Sequence, residues 1–384
     1  WTRPLLYGFA IYASLSPIFY FLIHPLFSHG HKIFFYGTMS IMLITIIINR
    51  AVLKDNLVIF LLIYSGFLIA LGLSLNEINK ATFAHIQVII LPILGINFGY
   101  LIAANRPDIL RKIYNGANQL GYILSAIILA YFLLYQLGFI PYFGASSLLF
   151  IPIFWAFLEK KWLHFLFFVC ILLLTGKRTP LLAISAVLII STLRHLNLKQ
   201  VLAICGLTTA TWVLYGYFSD NFMILFKRFT GIYEVLVSGD LNLSNLSVES
   251  LAALDAATSG RINDIIAPVS SLTQNPILWL TGRGIGGVFE VILPNTSRVW
   301  VTHYSHFTPI AYCFLGGVIM FLAIYGKLVI LLLHCIKKIS NFYSMFFIYY
   351  FISSVSGASY FSDPFIWMVV GVIVYQRKFY GVIT

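Results

Sequence analysis

Residues 57–75 read LVIFLLIYSGFLIALGLSL, a run without a single charge. As an α-helix this run is about 28 Å long, close to the thickness of a bilayer's hydrocarbon core. A barrel strand would be about 9–11 residues long and would alternate apolar with polar side chains, and this stretch does neither. In lipid every backbone polar group needs a protein partner, which only helices and closed barrels supply, so with a barrel strand excluded the run is read as a membrane-spanning helix.

The rest of the chain repeats that signal. It is 60% hydrophobic and 9% charged, where soluble domains carry about 25% charged residues. Candidate spans run over 5–23, 33–48, 57–75, 81–104, 117–137, 145–158, 163–175, 180–193, 200–217, 306–333, 343–360 and 364–376. The expected fold class is an all-α polytopic membrane protein with about 12 transmembrane helices. The sixth to eighth spans are short, which fits tilted, re-entrant or extended helices. Three regions follow: 1–217 with about nine helices, 218–305 as one large loop containing short helices, and 306–384 with about three helices. The chain opens on Trp1 rather than Met, so a few residues are expected to be missing. Its first apolar run is expected to serve as its own insertion signal.

The net charge of +12 sorts by side. Lys and Arg cluster in alternate short loops, at Arg50/Lys54, Arg106/Arg111/Lys112, Lys160/Lys161, Arg194/Lys199, Lys337/Lys338 and Arg377/Lys378. Cations mark cytoplasmic loops, which puts both termini in the cytoplasm. With Arg3 and Lys327 that face holds 15 cations against Asp55, Asp108 and Glu159, and the outer face holds 9 cations against 9 acids. The basic balance is thus topological, and no nucleic acid partner is implied. Cys170, Cys205, Cys313 and Cys335 lie in or beside apolar runs without CxxC spacing, as small packing residues do.

Residues 218–305 are long for a loop, and loops of this length are often functional. Within it, 220–237 reads as an interfacial helix, 246–257 as helical, and 262–274 as a short helix with Thr258 or Ser259 as its N-cap. Four places are candidates for chemistry. In Gly176-Lys177-Arg178-Thr179-Pro180, two cations precede a helix with Thr179 as N-cap and Pro180 at its first position. Cations at a helix N-terminus favour an anion, phosphate above all, although anchoring to lipid headgroups explains them equally. Ser259-Gly260-Arg261 precedes the 262–274 helix in the same way, with a surface arginine as the plain reading. Arg283 is a third cation, in the run Gly282-Arg283-Gly284-Ile285-Gly286-Gly287. No βαβ context makes that run a dinucleotide fingerprint, and it reads as a flexible turn. In His303-Tyr304-Ser305-His306, His306 is placed in the first turn of the tenth span at its outer mouth. The positive helix end disfavours imidazolium there, leaving a neutral ring suited to act as a general base. No metal site is read: His303 and His306 lack a third ligand, and His24, His29 and His31 lack an acid. No Asp or Glu sits mid-span, which counts against a proton-coupled transporter.

Taken in order, the Lys177–Arg178 loop, Ser-Gly-Arg at 259–261, the glycine turn, His306 and then Leu315-Gly316-Gly317 resemble the O-antigen polymerase and O-antigen ligase superfamily. The resemblance covers about 175–190 and 258–326. It implies transfer of a glycan from undecaprenyl pyrophosphate to an acceptor hydroxyl, with inversion and without a metal or other cofactor, at the periplasmic face of a bacterial inner membrane. Arg178, Arg261, Lys177 and Arg283 would hold the pyrophosphate, and His306 would be the base, with His303 and Tyr304 as secondary candidates. Lys177 stands where the family commonly has serine. Phe307 follows His306 where many ligases have asparagine, which favours a polymerase of O-antigen or a related surface polysaccharide over a ligase acting on lipid A–core. The partners implied are the lipid-linked oligosaccharide, the bilayer and a chain-length regulator. A membrane transporter is the reading from another class.

Overall fold

A computed structural model describes residues 30–49, 55–139, 147–174, 178–193, 263–292, 299–302, 305, 307–355 and 364–380. The described residues are mostly helical. In chain order the helices are α1 (Gly30–Asn49), α2 (Asn56–Leu75), α3 (Lys80–Asn105), α4 (Pro107–Gln136), α5 (Phe150–Leu158), α6 (Trp162–Leu174) and α7 (Arg178–Leu193). They continue with α8 (Asn263–Thr273), α9 (Pro276–Thr281), α10 (Thr308–Lys337), α11 (Phe342–Ser354) and α12 (Pro364–Tyr380). The spans expected at 5–23 and 200–217, and the helices expected at 220–237 and 246–257, lie outside the described residues.

Local chemistry explains where the long helices start. Asp55 accepts the amide hydrogen of Leu57 at 3.0 Å and caps α2. Asn79 and Thr82 form a reciprocal capping box at α3, each side chain accepting from the other's backbone N–H at 3.1 Å, so two orphan donors are satisfied at once. Pro107 opens α4, where its missing N–H costs no hydrogen bond. That start lies ten residues before the expected span at 117. The charges of Asp108, Arg111 and Lys112 lower the hydropathy of the first turns without opposing the helix.

α2, α3, α4 and α10 are each long and apolar enough to cross a membrane. Their outward faces remain apolar: α2 exposes Leu62, Ile63, Phe67 and Leu73 while burying Leu57, Val58, Leu61 and Leu68. Apolar surface on that scale suits acyl chains rather than water. α5, α6 and α11 have 9, 13 and 13 residues, and at 1.5 Å per residue they are shorter than the bilayer core.

The centre of the bundle is α3, and its broadest contact is with α12. Gly95 and Gly99 lie one turn apart on α3, and a Cβ on either would overlap Trp367 or Met368 of α12. From the other side, Gly371 lies against Ile96 and Tyr100. Such Gly-xxx-Gly faces let two backbones approach where no hydrophobic effect drives helices together. Lys327 of α10 forms an ion pair with Asp55 at 2.7 Å. The loop region also contains an element the sequence reading lacked. β1 (Phe289–Ile292) and β2 (Val299–Thr302) pair antiparallel, with Phe289 opposite Thr302 and Val291 opposite Trp300.

Candidate functional site

The expected span 306–333 is not one straight helix. Inside α10, Gly316 and Gly317 leave helical geometry, with Gly317 at φ 67° and ψ −174°, a region essentially closed to residues with a Cβ. The chain turns back sharply there. The rings of Tyr312 and Tyr325 are 6.3 Å apart between centroids, whereas a continuous helix would separate their Cα atoms by about 20 Å. The first arm of α10 therefore packs beside the second.

A corner in a helix leaves carbonyls without partners, which is tolerated at membrane depth only when protein supplies donors. The glycine run 282–287 supplies them. Arg283 N–H donates to the Phe314 carbonyl at 2.8 Å and Gly284 N–H to the Leu315 carbonyl at 3.0 Å. The Tyr64 hydroxyl, from α2, donates to the Gly316 carbonyl at 2.9 Å. On its other side the run docks onto the α2–α3 connection. Asn76 Nδ2 donates to the carbonyls of Arg283 and Ile285 at 2.8 and 3.0 Å, and Asn79 Nδ2 to that of Gly286 at 3.0 Å. Gly286 N–H donates to Nδ1 of His85, which is 1% exposed. These bonds correct the expectation of a flexible turn: residues 284–287 are buried and pinned between α2, α3 and α10.

Beneath the turn, α8 and β1 close an apolar cluster of Leu272, Phe289, Val291, Cys313 and Phe314, with Trp279 packed against it. Trp279 is thus part of the support for the corner. The start of α10 is lined by hydroxyls. Ser305 and Thr308 are fully buried, Ser305 Oγ accepts from Phe307 N–H at 3.0 Å, and Tyr325 and Ser354 hydrogen-bond at 3.0 Å. α11, which contributes Ser354, packs along α7.

Of the residues singled out from sequence, Lys177, Arg261, His303, Tyr304 and His306 lie outside the described residues. Arg178 is the first residue of α7. The helix thus begins before the expected cap Thr179, and Pro180 falls in its first turn, where a missing N–H is harmless. Arg283 is half-buried. Its Nη2 donates to the Ser271 carbonyl at 3.1 Å and to Gln274 Oε1 at 2.7 Å, while its buried Nε has no partner among the described residues. The helix expected at 262–274 is α8. Among the described residues no cluster of His, Cys, Asp or Glu has the makings of a metal site. Sequence reasoning missed Tyr64, Asn76, Asn79 and His85. The only local sign was two asparagines within the short connection between α2 and α3.

The arrangement is a buried helix start, with hydroxyl groups around it, on an arm turned back at a rigid corner; α7, which begins at Arg178, packs against α11. Compared with known proteins, the chain matches no family model, no curated protein and no solved structure.

Proposed function

We propose that this chain is a bacterial inner-membrane glycosyltransferase that polymerises O-antigen or a related surface polysaccharide from undecaprenyl-pyrophosphate-linked repeat units. In this reading about 12 helices span the membrane, both termini are cytoplasmic, and residues 218–305 lie on the periplasmic side. His306 takes the proton from the acceptor hydroxyl as its oxygen forms the glycosidic bond. The bond from the anomeric carbon to the pyrophosphate oxygen breaks, and the electron pair leaves with the lipid pyrophosphate. Arg178, Arg261 and Lys177 offset the charge that develops on it. The reading rests on the resemblance of the 175–190 and 258–326 stretches.

The structural observation that supports it most is the fold-back of α10. Ser305 and Thr308, which flank His306 in the chain, are buried at the start of the arm that the corner turns back. A general base works best on an element whose geometry is held by its surroundings. The test is His306→Ala, expressed in the deletion strain of the source bacterium. The expected product is a glycan of one repeat unit in place of a long-chain ladder, with the protein present in membranes at wild-type level. A normal ladder would remove His306 as the base. Loss of all attached glycan in the deletion strain would indicate a ligase, and unchanged glycans would leave a transporter.

A further inference from the structure

Arg283 touches both of the elements that lead to the proposed site. Its guanidinium clasps the C-terminal end of α8 through the Ser271 carbonyl and Gln274. Its backbone N–H fills the Phe314 carbonyl at the corner of α10, and its carbonyl accepts from Asn76 at 2.8 Å. Arg261 lies two residues before α8 in the chain, and His306 two residues before α10. From this geometry we infer that Arg283 is a positioning residue: it holds α8, the helix that follows Arg261 in the chain, in register with the broken helix α10, which follows His306. The inference rests on the function proposed above for its catalytic consequence, but the mechanical link stands on the hydrogen bonds alone.

The side-chain type fits this role. One guanidinium nitrogen, Nη2, donates to both a carbonyl and an amide oxygen at the end of α8, and a lysine stem, one bond shorter and flexible to its tip, does not reproduce that reach. A residue that bound the donor as a simple charge would behave differently, because lysine keeps the charge.

Two measurements on the full-length protein in nanodiscs test the inference. The first uses nitroxides at Ser270→Cys and Ile319→Cys, on a chain whose four native cysteines are replaced by alanine with its thermal midpoint unchanged. Pulsed EPR is expected to show one narrow distance in the parent. Arg283→Met, Arg283→Lys and Gln274→Ala should each add a second, broader population. A single unchanged distance in Arg283→Met overturns the inference. The second is steady-state transfer with an undecaprenyl-pyrophosphate-linked repeat unit. Arg283→Met, Arg283→Lys and Gln274→Ala should each lower kcat about tenfold, as small misplacements of reacting groups do, and leave the KM for donor within about twofold. The double variant Arg283→Met/Gln274→Ala should be no slower than the worse single variant, since both break one clasp. A raised donor KM in Arg283→Met, with Arg283→Lys nearly normal and Gln274→Ala silent, would mean that Arg283 binds the donor directly, and would overturn the inference. If the parent protein transfers no sugar, the proposed reaction fails, while the distance measurement still decides the link.

Discussion

Replacing Gly317 by alanine should cost about 3–5 kcal/mol of unfolding free energy. Gly317 sits at φ 67° and ψ −174°, where a Cβ carries a penalty of about 1–3 kcal/mol. The added methyl would overlap the carbonyl group of Leu280 and lie 2.6 Å from Thr281 N. Backbone, rather than the movable end of a side chain, stands in its way. The clash is relieved only if α9 moves away from the corner. That movement pulls on the bonds from Arg283 N–H and Gly284 N–H to Phe314 and Leu315, each worth about 1 kcal/mol net. The assay is reversible unfolding in mixed micelles with rising SDS, followed by tryptophan fluorescence. The control is Gly326→Ala in the same helix, where a Cβ meets nothing within 4 Å and better helix propensity gives between no change and a gain of about 1 kcal/mol. Gly317→Ala within about 0.5 kcal/mol of wild type, or the two variants behaving alike, would refute the account of a rigid corner.

Two further outcomes are expected. Asp55→Asn keeps the side-chain oxygen that caps α2 but leaves Lys327 without its 2.7 Å partner. It should cost about 2–4 kcal/mol in the same SDS titration, and adding Lys327→Met should recover at least half of that, because a lone charge is worse than none; no recovery would show that the pair is not coupled. Ile78→Cys, in the exposed connection before α3, should react in intact spheroplasts with a membrane-impermeant maleimide, whereas Lys160→Cys should react only after permeabilisation; the reverse pattern would invert the orientation read from the charges.

What could be read from sequence follows the range of each interaction. α2 and α3 were legible almost to the residue, since an unbroken apolar run and a cap a few positions away are both local: 57–75 and 81–104 were expected, and Asn56–Leu75 and Lys80–Asn105 are found. The start of α4 was not, because hydropathy cannot separate a charged first turn from a loop, although Pro107 marked it. The β1–β2 pair was missed since four residues are too few to establish a period of two. The corner in α10 was hidden for a different reason. Leu315-Gly316-Gly317 stands out in the sequence, but glycines also occur within straight membrane helices, and what forces the turn is the distant run at 282–287 together with Tyr64. At the candidate site, the sequence pointed to residue types, and the structure adds how α8 and α10 are fastened to each other. His306 and Arg261 themselves lie outside the described residues.

The seam between α3 and α12 also carries a schedule. Gly95 and Gly99 find their partners at Trp367 and Met368, far downstream in the sequence. A ribosome working at about 5–20 residues per second needs roughly a quarter of a minute to a minute to make the intervening stretch. For that time the most intimate face of the central helix stands open to lipid or to provisional neighbours, and the bundle gains this joint only when α12 is delivered.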